Sequence, residues 1–328
     1  MRSAILDVGS NSVHLDVLDL APGGPVHLVT TVKRPTRLGE SLTSDGRIAE
    51  PAVRRLTQAV SEALAVAREM DATELIAFAT SAVRDAANRV TVVDAVAAGT
   101  GVELAFLSGG DEARLTFLAV RGWYGWSAGP LLLADLGGGS LEIAAGEASE
   151  PEFAISLPLG AGRLTRDHLP GDPPPKESVR ELRAYIAENL EVGQFQEWLA
   201  TAGNARVVAT SRVFTQLAKL TRNGHDLSLR RRAMRKQVRR LAGETAAQRA
   251  LLRGVSVSRA PQILAGAMVA EALLDSLDIS RLEICPWALR EGIALRRLGR
   301  LAVPGEQTDD IAHLLQPFPG QEDRLRAV

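Results

Sequence analysis

Two stretches of the chain carry the same order of hydrophobic and polar positions. At 131–145, four apolar residues run into Asp135. A triple glycine (Gly137, Gly138, Gly139) and Ser140 follow, and a second apolar run ends near Ala145. At 4–18, an apolar run ends on Asp7, a turn of Gly9, Ser10, Asn11 and Ser12 follows, and apolar residues resume. Each stretch predicts a buried strand, a tight turn and a returning strand. A motif used twice at such a separation predicts two similar domains, each opening with its own hairpin.

The rest of the pattern fits that plan. Residues 26–32 read as a third strand. The stretch 51–70 places Val53, Leu56, Ala59, Val60, Ala63, Leu64 and Ala67 on one helical face. A short buried strand follows at 74–79, then a helix at 86–99, a strand at 101–107 and a helix at 113–120. Strands alternating with helices predict a mixed sheet covered by helices. The turn-rich, aromatic stretch 122–130 reads as the junction, giving domains 1–125 and 126–302. The second half repeats the hairpin, with a third strand at 153–157, a helix at 177–190, a strand at 207–209 and a helix at 213–220. Helices at 229–242, 246–253 and 265–277, a strand at 282–285 and a helix at 288–301 complete it. Residues 303–328, rich in Pro, Gly and charge, read as a poorly ordered tail.

Composition narrows the class. The 328 residues are 46% hydrophobic and 23% charged, as in a globular protein with a sizeable core. A net charge of -1 provides no global field for nucleic acid or an acidic membrane, so any polyanion site must be local. The single cysteine, Cys285, rules out an internal disulfide and fits a reducing compartment. The N-terminus carries no secretory pattern, and there is no apolar run of about 18 residues. These features predict a cytoplasmic protein without a membrane span.

The candidate chemistry lies at strand ends. Asp7 and Asp135 each close a strand beside a glycine turn, and the glycines let a ligand approach the backbone. If the domains face each other, both carboxylates point into one cleft. Hard oxygen ligands there suit Mg2+, held by one or two carboxylates and substrate phosphates. The turns Ser10, Asn11, Ser12 and Gly138, Gly139, Ser140 offer N–H groups and hydroxyls to phosphate. Thr80, Ser81 and Arg84 follow one strand, and Thr210, Ser211 and Arg212 follow its counterpart; ligands gather at such carboxyl ends. The plain alternative for Arg84 is an ion pair with Asp85 or Glu74. Asp111 and Glu112 open a helix, where either would be favoured by the dipole or could serve as a general base for water. Finally, 229–242 predicts a helix with a dense positive face. Its Arg231, Arg235 and Arg239 stack at intervals of four and offer a path for a phosphate chain. The aromatic residues that nucleic-acid bases would stack on are absent from it.

Several motifs occur in one order: Asp7-Val-Gly-Ser-Asn-Ser12, Ala79-Thr-Ser-Ala-Val-Arg84, Asp111-Glu-Ala-Arg-Leu115 and Asp135-Leu-Gly-Gly-Gly-Ser-Leu-Glu142. Leu157-Pro-Leu-Gly-Ala-Gly-Arg163, Gly254-Val-Ser-Val-Ser-Arg259 and Trp287-Ala-Leu-Arg290-Glu-Gly follow. This set resembles the exopolyphosphatase / guanosine pentaphosphate phosphohydrolase (Ppx/GppA) family over roughly residues 1–300, and within it the short two-domain actinobacterial exopolyphosphatases. The resemblance implies an α/β fold of two ribonuclease-H-like (actin/Hsp70-like) domains around a central cleft. It implies Mg2+-dependent hydrolysis of the terminal phosphoanhydride of inorganic polyphosphate, and a homodimer. It assigns Glu112 as general base, Asp135 and Glu142 as metal-associated carboxylates with Asp7 opposite, and Arg84 and the Gly138–Ser140 turn as phosphate contacts.

The chain departs from the family pattern in places. Asp111 replaces the usual first glutamate, Thr210-Ser211-Arg212 lacks a glycine common there, and Pro261 stands where an aspartate is common. No chain remains for the extra C-terminal helical domains of the long enzymes, which predicts a preference for short polyphosphate. The alternatives are a guanosine pentaphosphate phosphohydrolase, an ATP-dependent kinase of the same superfamily and a non-catalytic sensor. The kinase would need an adenosine pocket whose glycine-rich stretch is not evident.

Overall fold

In the computed structural model, which describes residues 1–43, 45–221, 227–302, 311 and 314–319, the first repeat folds as β1 (Arg2–Val8) and β2 (Ser12–Asp19). Their antiparallel register sets Asp7 opposite His14. Alternation sends Ala4, Leu6, Val8, Val13, Leu15 and Val17 to one buried face. The chain continues as β3 (His27–Pro35), α1 (Glu50–Glu69), β4 (Glu74–Ala79), α2 (Ser81–Arg84), α3 (Arg89–Thr100) and β5 (Ala105–Phe106). All seven predicted apolar positions of α1 are buried, and a proline in its first turn suits a helix start.

The second repeat opens with α4 (Gly109–Tyr124), then β6 (Leu131–Leu136), β7 (Leu141–Gly146) and β8 (Phe153–Leu157). Helices α5 (Ala161–His168), α6 (Lys176–Asn189) and α7 (Gly193–Thr201) precede β9 (Arg206–Thr210) and α8 (Ser211–Thr221). Then come β10 (Ser228–Arg230), α9 (Arg231–Ala242), α10 (Ala246–Ala250), α11 (Ile263–Ser276), β11 (Arg281–Ile284), α12 (Leu289–Ala302) and β12 (Leu315–Pro317).

The duplication is explicit in the sheets. One runs β12-β4-β1-β2-β3, with β5 also on β4; the other runs β10-β11-β9-β6-β7-β8. In each, an antiparallel three-strand meander is extended by a strand parallel to its first member: β4 beside β1, and β9 beside β6. A further parallel strand follows, β5 and β11 respectively. This is the predicted pair of ribonuclease-H-like domains. Among the described residues, no helix is long and apolar enough to cross a membrane.

The two compact units are Met1–Ser108 with Arg290–Val328, and Gly109–Leu289. The sequence reading divides the chain at 125/126 and 302/303, and the difference has a packing cause. Ala113, Phe117 and Val120 of α4 are buried against Leu131, Leu133, Ala144 and Val208, so the helix belongs to the second sheet. The aromatic stretch after α4 is not a linker either. Arg121, nearly fully buried, donates from Nη2 to the Gly129 carbonyl (2.9 Å) and folds the loop back. At the other end, Arg297 of α12 closes a three-contact ion pair with the buried Glu74, 2.6 Å at its shortest.

Other differences are local. The predicted tail contributes a strand: Gln316 pairs with Leu75 in β4, and Phe318 is fully buried. The rest of 303–328, apart from residues 311, 314 and 319, lies outside the described residues. The strand expected over 101–107 is only two residues long. The predicted helix 229–242 begins two residues later, because Ser228–Arg230 pairs at the sheet edge with β11. Helix α5 escapes prediction because its opening, Gly160-Ala161-Gly162, reads as a turn.

Candidate active site

In the second unit, four polar side chains form one row across adjacent strands. Asp135 lies opposite Glu142 in the antiparallel β6/β7 register, Glu142 opposite Ser156 on β8, and Thr210 of β9 pairs with Asp135. Directly opposed residues share a face. That face is the one α4 covers, since Leu133, Ala144 and Val208 lie two residues further along the same strands. Ser156 Oγ donates to Glu142 Oε1 (2.8 Å), and Glu142 is buried. The buried Thr210 Oγ1 has no hydrogen-bond partner among the described residues; it lies close enough to favour the charged form of Asp135.

Glu112 comes to this row from α4. A Cβ added at Gly109 would lie 2.3 Å from Ser156 Cβ, so the helix start rests directly on the row and needs glycine there. Glu112 is one helical turn on and is 6% exposed. Asp111 instead turns outward and pairs with Arg114 (3.2 Å) at the surface. Of these two neighbouring carboxylates, Glu112 is therefore the buried one and Asp111 the surface one.

The Gly137–Ser140 turn is locked from one side. Gly137 N donates to Ser140 O (2.9 Å). The turn carbonyls face α5: Ala161 N donates to Gly137 O (3.1 Å) and Arg163 N to Gly138 O (2.9 Å). Arg163 Nε reaches Gly139 O (3.0 Å). The contact is so close that a Cβ on Gly160 would sit 2.2 Å from the Gly139 carbonyl carbon. With the carbonyls consumed, the N–H groups of Gly138, Gly139 and Ser140 donate to no acceptor among the described residues. Such a set of free donors is an anion cradle.

Electrostatics adds two arginines to this set. Burial pushes the Asp135 carboxyl up to about 6, against the pull of Thr210 and Arg259. Burial also lowers Arg259, to about 10; Arg212 lowers it further and Asp135 opposes. Two guanidiniums near enough to repel each other, beside a half-buried carboxylate, form a site with spare positive charge. The sequence pattern places Arg212 among the strand-end donors and gives Arg259 no role, since Arg259 sits in an irregular segment where periodicity gives no signal.

Ser211, at the start of α8, has φ 92°. The stretch Thr210-Ser211-Arg212 lacks the glycine of the family pattern, and the loop keeps a positive-φ backbone at Ser211 with a side chain on it. Non-glycine residues in that region cost of the order of 1–2 kcal/mol. Ser211 Oγ partly compensates by accepting from Phe214 N (3.3 Å). Ser211→Gly and Ser211→Ala both lose that contact, and only glycine relieves the strain. The glycine variant is expected to be more stable than the alanine variant by about 1 kcal/mol in urea unfolding.

The first unit repeats the turn on its own sheet. Gly9 N donates to Ser12 O (3.1 Å), Thr36 N and Arg37 N to Asn11 O (3.0 Å each), and Gly39 N to Ser10 O (2.9 Å). Thr80 N bonds Val8 O (3.1 Å), which sets Thr80, Ser81 and the short α2 beside the end of Asp7's strand. Arg84 donates to the Leu107 carbonyl (3.0 Å) and to Asp85 (3.2 Å), so the ion pair with Asp85 forms and that with Glu74 does not. Arg290, from α12, pairs with Asp16 (2.8 Å) and stands 4.0 Å from Asp7 Oδ2.

The basic helix α9 divides its charges. Arg231 pairs with Asp278 (2.6 Å) and Arg235 with Asp275 (2.8 Å), while Arg239 stays exposed. The stripe Arg231–Arg235–Arg239 is therefore largely neutralised by α11 and the residues just after it.

Sequence comparison fits this geometry. The model of the Ppx/GppA phosphatase family matches residues 17–301. The chain belongs to the Ppx/GppA family. Exopolyphosphatase 1 of Mycobacterium tuberculosis is 47% identical over 306 residues, covering 91% of this chain and 88% of that one. Among solved structures, an Aquifex aeolicus Ppx/GppA enzyme is 26% identical with a TM-score of 0.72, covering 90% of this chain and 99% of that one. An exopolyphosphatase from Cytophaga hutchinsonii, at 23% identity and TM-score 0.80, shares the fold over 91% of this chain and 98% of that one.

Proposed function

We propose that the protein is an exopolyphosphatase, hydrolysing the terminal phosphoanhydride of inorganic polyphosphate with Mg2+ and releasing orthophosphate. One observation carries the reading: the row Ser156–Glu142–Asp135–Thr210 ends beside a free N–H cradle and under the helix that bears the buried Glu112. Membership of the Ppx/GppA family and the likeness to mycobacterial exopolyphosphatase 1 support the choice of substrate.

The residues fit a magnesium ion. Asp135 and Glu142 are hard oxygen donors facing each other across one strand pair, with the unpartnered Thr210 hydroxyl alongside. Among the described residues, no three acidic, histidine or cysteine side chains form a complete cage. A bound Mg2+ would complete its shell with waters and substrate phosphate. Asp135 and Glu142 would hold the ion. When bound, it supplies neutralising charge to the phosphate oxygens.

The protein groups do the rest. The Gly138, Gly139 and Ser140 N–H groups grip the terminal phosphate, and Arg259 and Arg212 offset its charge. The Glu112 carboxylate accepts a proton from water as the water oxygen bonds to phosphorus. The bridging P–O bond breaks, and its electron pair leaves with the shortened chain. Phosphoryl transfer asks mainly for such positioning and charge neutralisation. The first unit's own turn, with Ser10, Asn11, Ser12, Thr80, Ser81 and Arg84, is a second candidate phosphate-binding site. A cytoplasmic homodimer completes the proposal; Cys285, buried and in no disulfide, fits a reducing compartment.

Orthophosphate release measured on polyphosphate, guanosine pentaphosphate and ATP, with and without Mg2+, tests the reading. The expected result is Mg2+-dependent release, fastest from polyphosphate. Preferential release from guanosine pentaphosphate would transfer the site to that substrate. ATP-dependent phosphorylation of an acceptor would overturn hydrolysis.

A further inference from the structure

Two segments next to the Asp135 row, 211–221 and 251–261, are rich in cations and contain no Asp or Glu. Helix α8 runs away from the row, and the segment 253–259 lies along it in the opposite direction. Two contacts fix the register. Gln216 Nε2 donates to Ser256 Oγ (2.9 Å) in the middle. At the far end, a Cβ on Gly254 would lie 2.5 Å from Lys219 Cβ.

On α8 the positions 212, 216 and 219 follow the i, i+4, i+7 rule and share a side, while Val213, Phe214, Leu217 and Ala218 are buried on the other. Arg212, Lys219 and Arg253 are exposed. None of them forms an ion pair among the described residues, and neither 211–221 nor 251–261 contains Asp or Glu. This separates the face from α9, whose arginines are partly neutralised by Asp275, Asp278 and Glu244.

We propose that this face of α8 and 253–259 is a track holding the rest of a polyphosphate chain while its terminal unit occupies the Asp135 row. The inference rests on the exopolyphosphatase reading and deepens it by assigning how the chain lies and which residues sense its length. Arg212 and Arg259 take the phosphates next to the scissile bond, the Gln216–Ser256 pair offers neutral donors, and Lys219 and Arg253 close the track. From 212 to 219 the helix rises about 10 Å. The track thus spans only a few phosphate units, and affinity stops growing once the chain passes Lys219. Charge complementarity without an aromatic platform favours a bare phosphate chain over nucleic acid.

The test is a Lys219→Ser/Arg253→Ser double variant of the full chain, assayed on tripolyphosphate and on chains of increasing length. Two exposed charge contacts are worth about fivefold together. KM for long chains is expected to rise by about that factor at unchanged kcat, to lose part of its salt dependence, and to stay unchanged for tripolyphosphate. An unchanged KM on long chains, or an equal rise on tripolyphosphate, overturns the track. So does the same chain-length-dependent shift arising instead from Arg232→Ser/Lys236→Ser/Arg239→Ser on α9. Single-stranded DNA competing as well as polyphosphate of equal charge overturns the choice of ligand. If the wild type releases no orthophosphate from any chain, the proposed reaction fails on its own. The track is then judged by equilibrium binding of the same chains: weaker binding by the double variant upholds it, and equal binding overturns it.

Discussion

Glu112→Gln is expected to lower kcat for orthophosphate release by about 10²–10⁴-fold, the usual contribution of a positioned general base. Glutamine keeps the size and hydrogen-bonding reach of the side chain and removes only its ability to take a proton. The near-complete burial of Glu112 makes the substitution informative, because no bulk water stands by to replace it at the same point. Substrate KM should move little, since the base contributes in the transition state and not in ground-state binding. The lost negative charge in the first turn of α4 should cost about 0.5 kcal/mol of stability. Asp111→Asn is the control. Its carboxylate is engaged with Arg114 at the surface, so its loss should leave kcat unchanged. Normal turnover by the Gln variant would falsify the general-base assignment.

Asp135→Asn is expected to do two opposite things. Phosphate release should fall by about 10²-fold or more, as the row loses the charge proposed to hold the metal and its phosphate. Without added metal, however, the variant should be more stable than the wild type at neutral pH. Burial holds the Asp135 carboxyl near 6 in the folded protein, above the unfolded value of 3.8. Between these values the folded state binds more protons than the unfolded one. Stability therefore falls as pH rises from about 4 to about 6, and stays reduced above that. Two units would correspond to roughly 3 kcal/mol at most, and less because the side chain keeps some exposure. Asparagine removes the titration. Its advantage should reach about 1–3 kcal/mol at pH 8 and vanish below pH 4, as read from urea midpoints at each pH. Adding Mg2+ should restore stability to the wild type and not to the variant. A variant less stable than the wild type at pH 8 without metal would contradict the buried-charge account.

The amount of this that the sequence makes legible follows from what repeats. The two strand–Asp–Gly-turn–strand patterns expose the duplicated fold, because a tight turn after a buried strand fixes both residue types and spacing. In the structure the seven-residue step from Asp7 to His14 recurs from Asp135 to Glu142, down to the same turn hydrogen bond. The face shared by Asp135 and Glu142 follows from that register. Features that depend on tertiary packing stay hidden. The Gly109–Ser156 contact, which carries Glu112 to the row, joins residues with no local relation. Arg259 acquires its meaning only from the fold of an irregular segment against α8. The charge run on α9 is conspicuous in the sequence, but its counter-charges, Asp275 and Asp278, arrive from another element. Likewise, strand β12 is too short, at three residues, to carry a periodicity of its own.

The way the first unit is assembled has a consequence for synthesis on the ribosome. Its sheet includes β12, its core includes Phe318, and the buried Glu74 is neutralised by Arg297. The second unit, by contrast, is one uninterrupted stretch from Gly109 to Leu289. Domains generally fold as units during translation. Here the order of emergence is inverted for the N-terminal part. The middle of the chain can close its core first, while the opening strands wait, with a carboxylate still uncompensated, until the last helix and strand have left the exit tunnel.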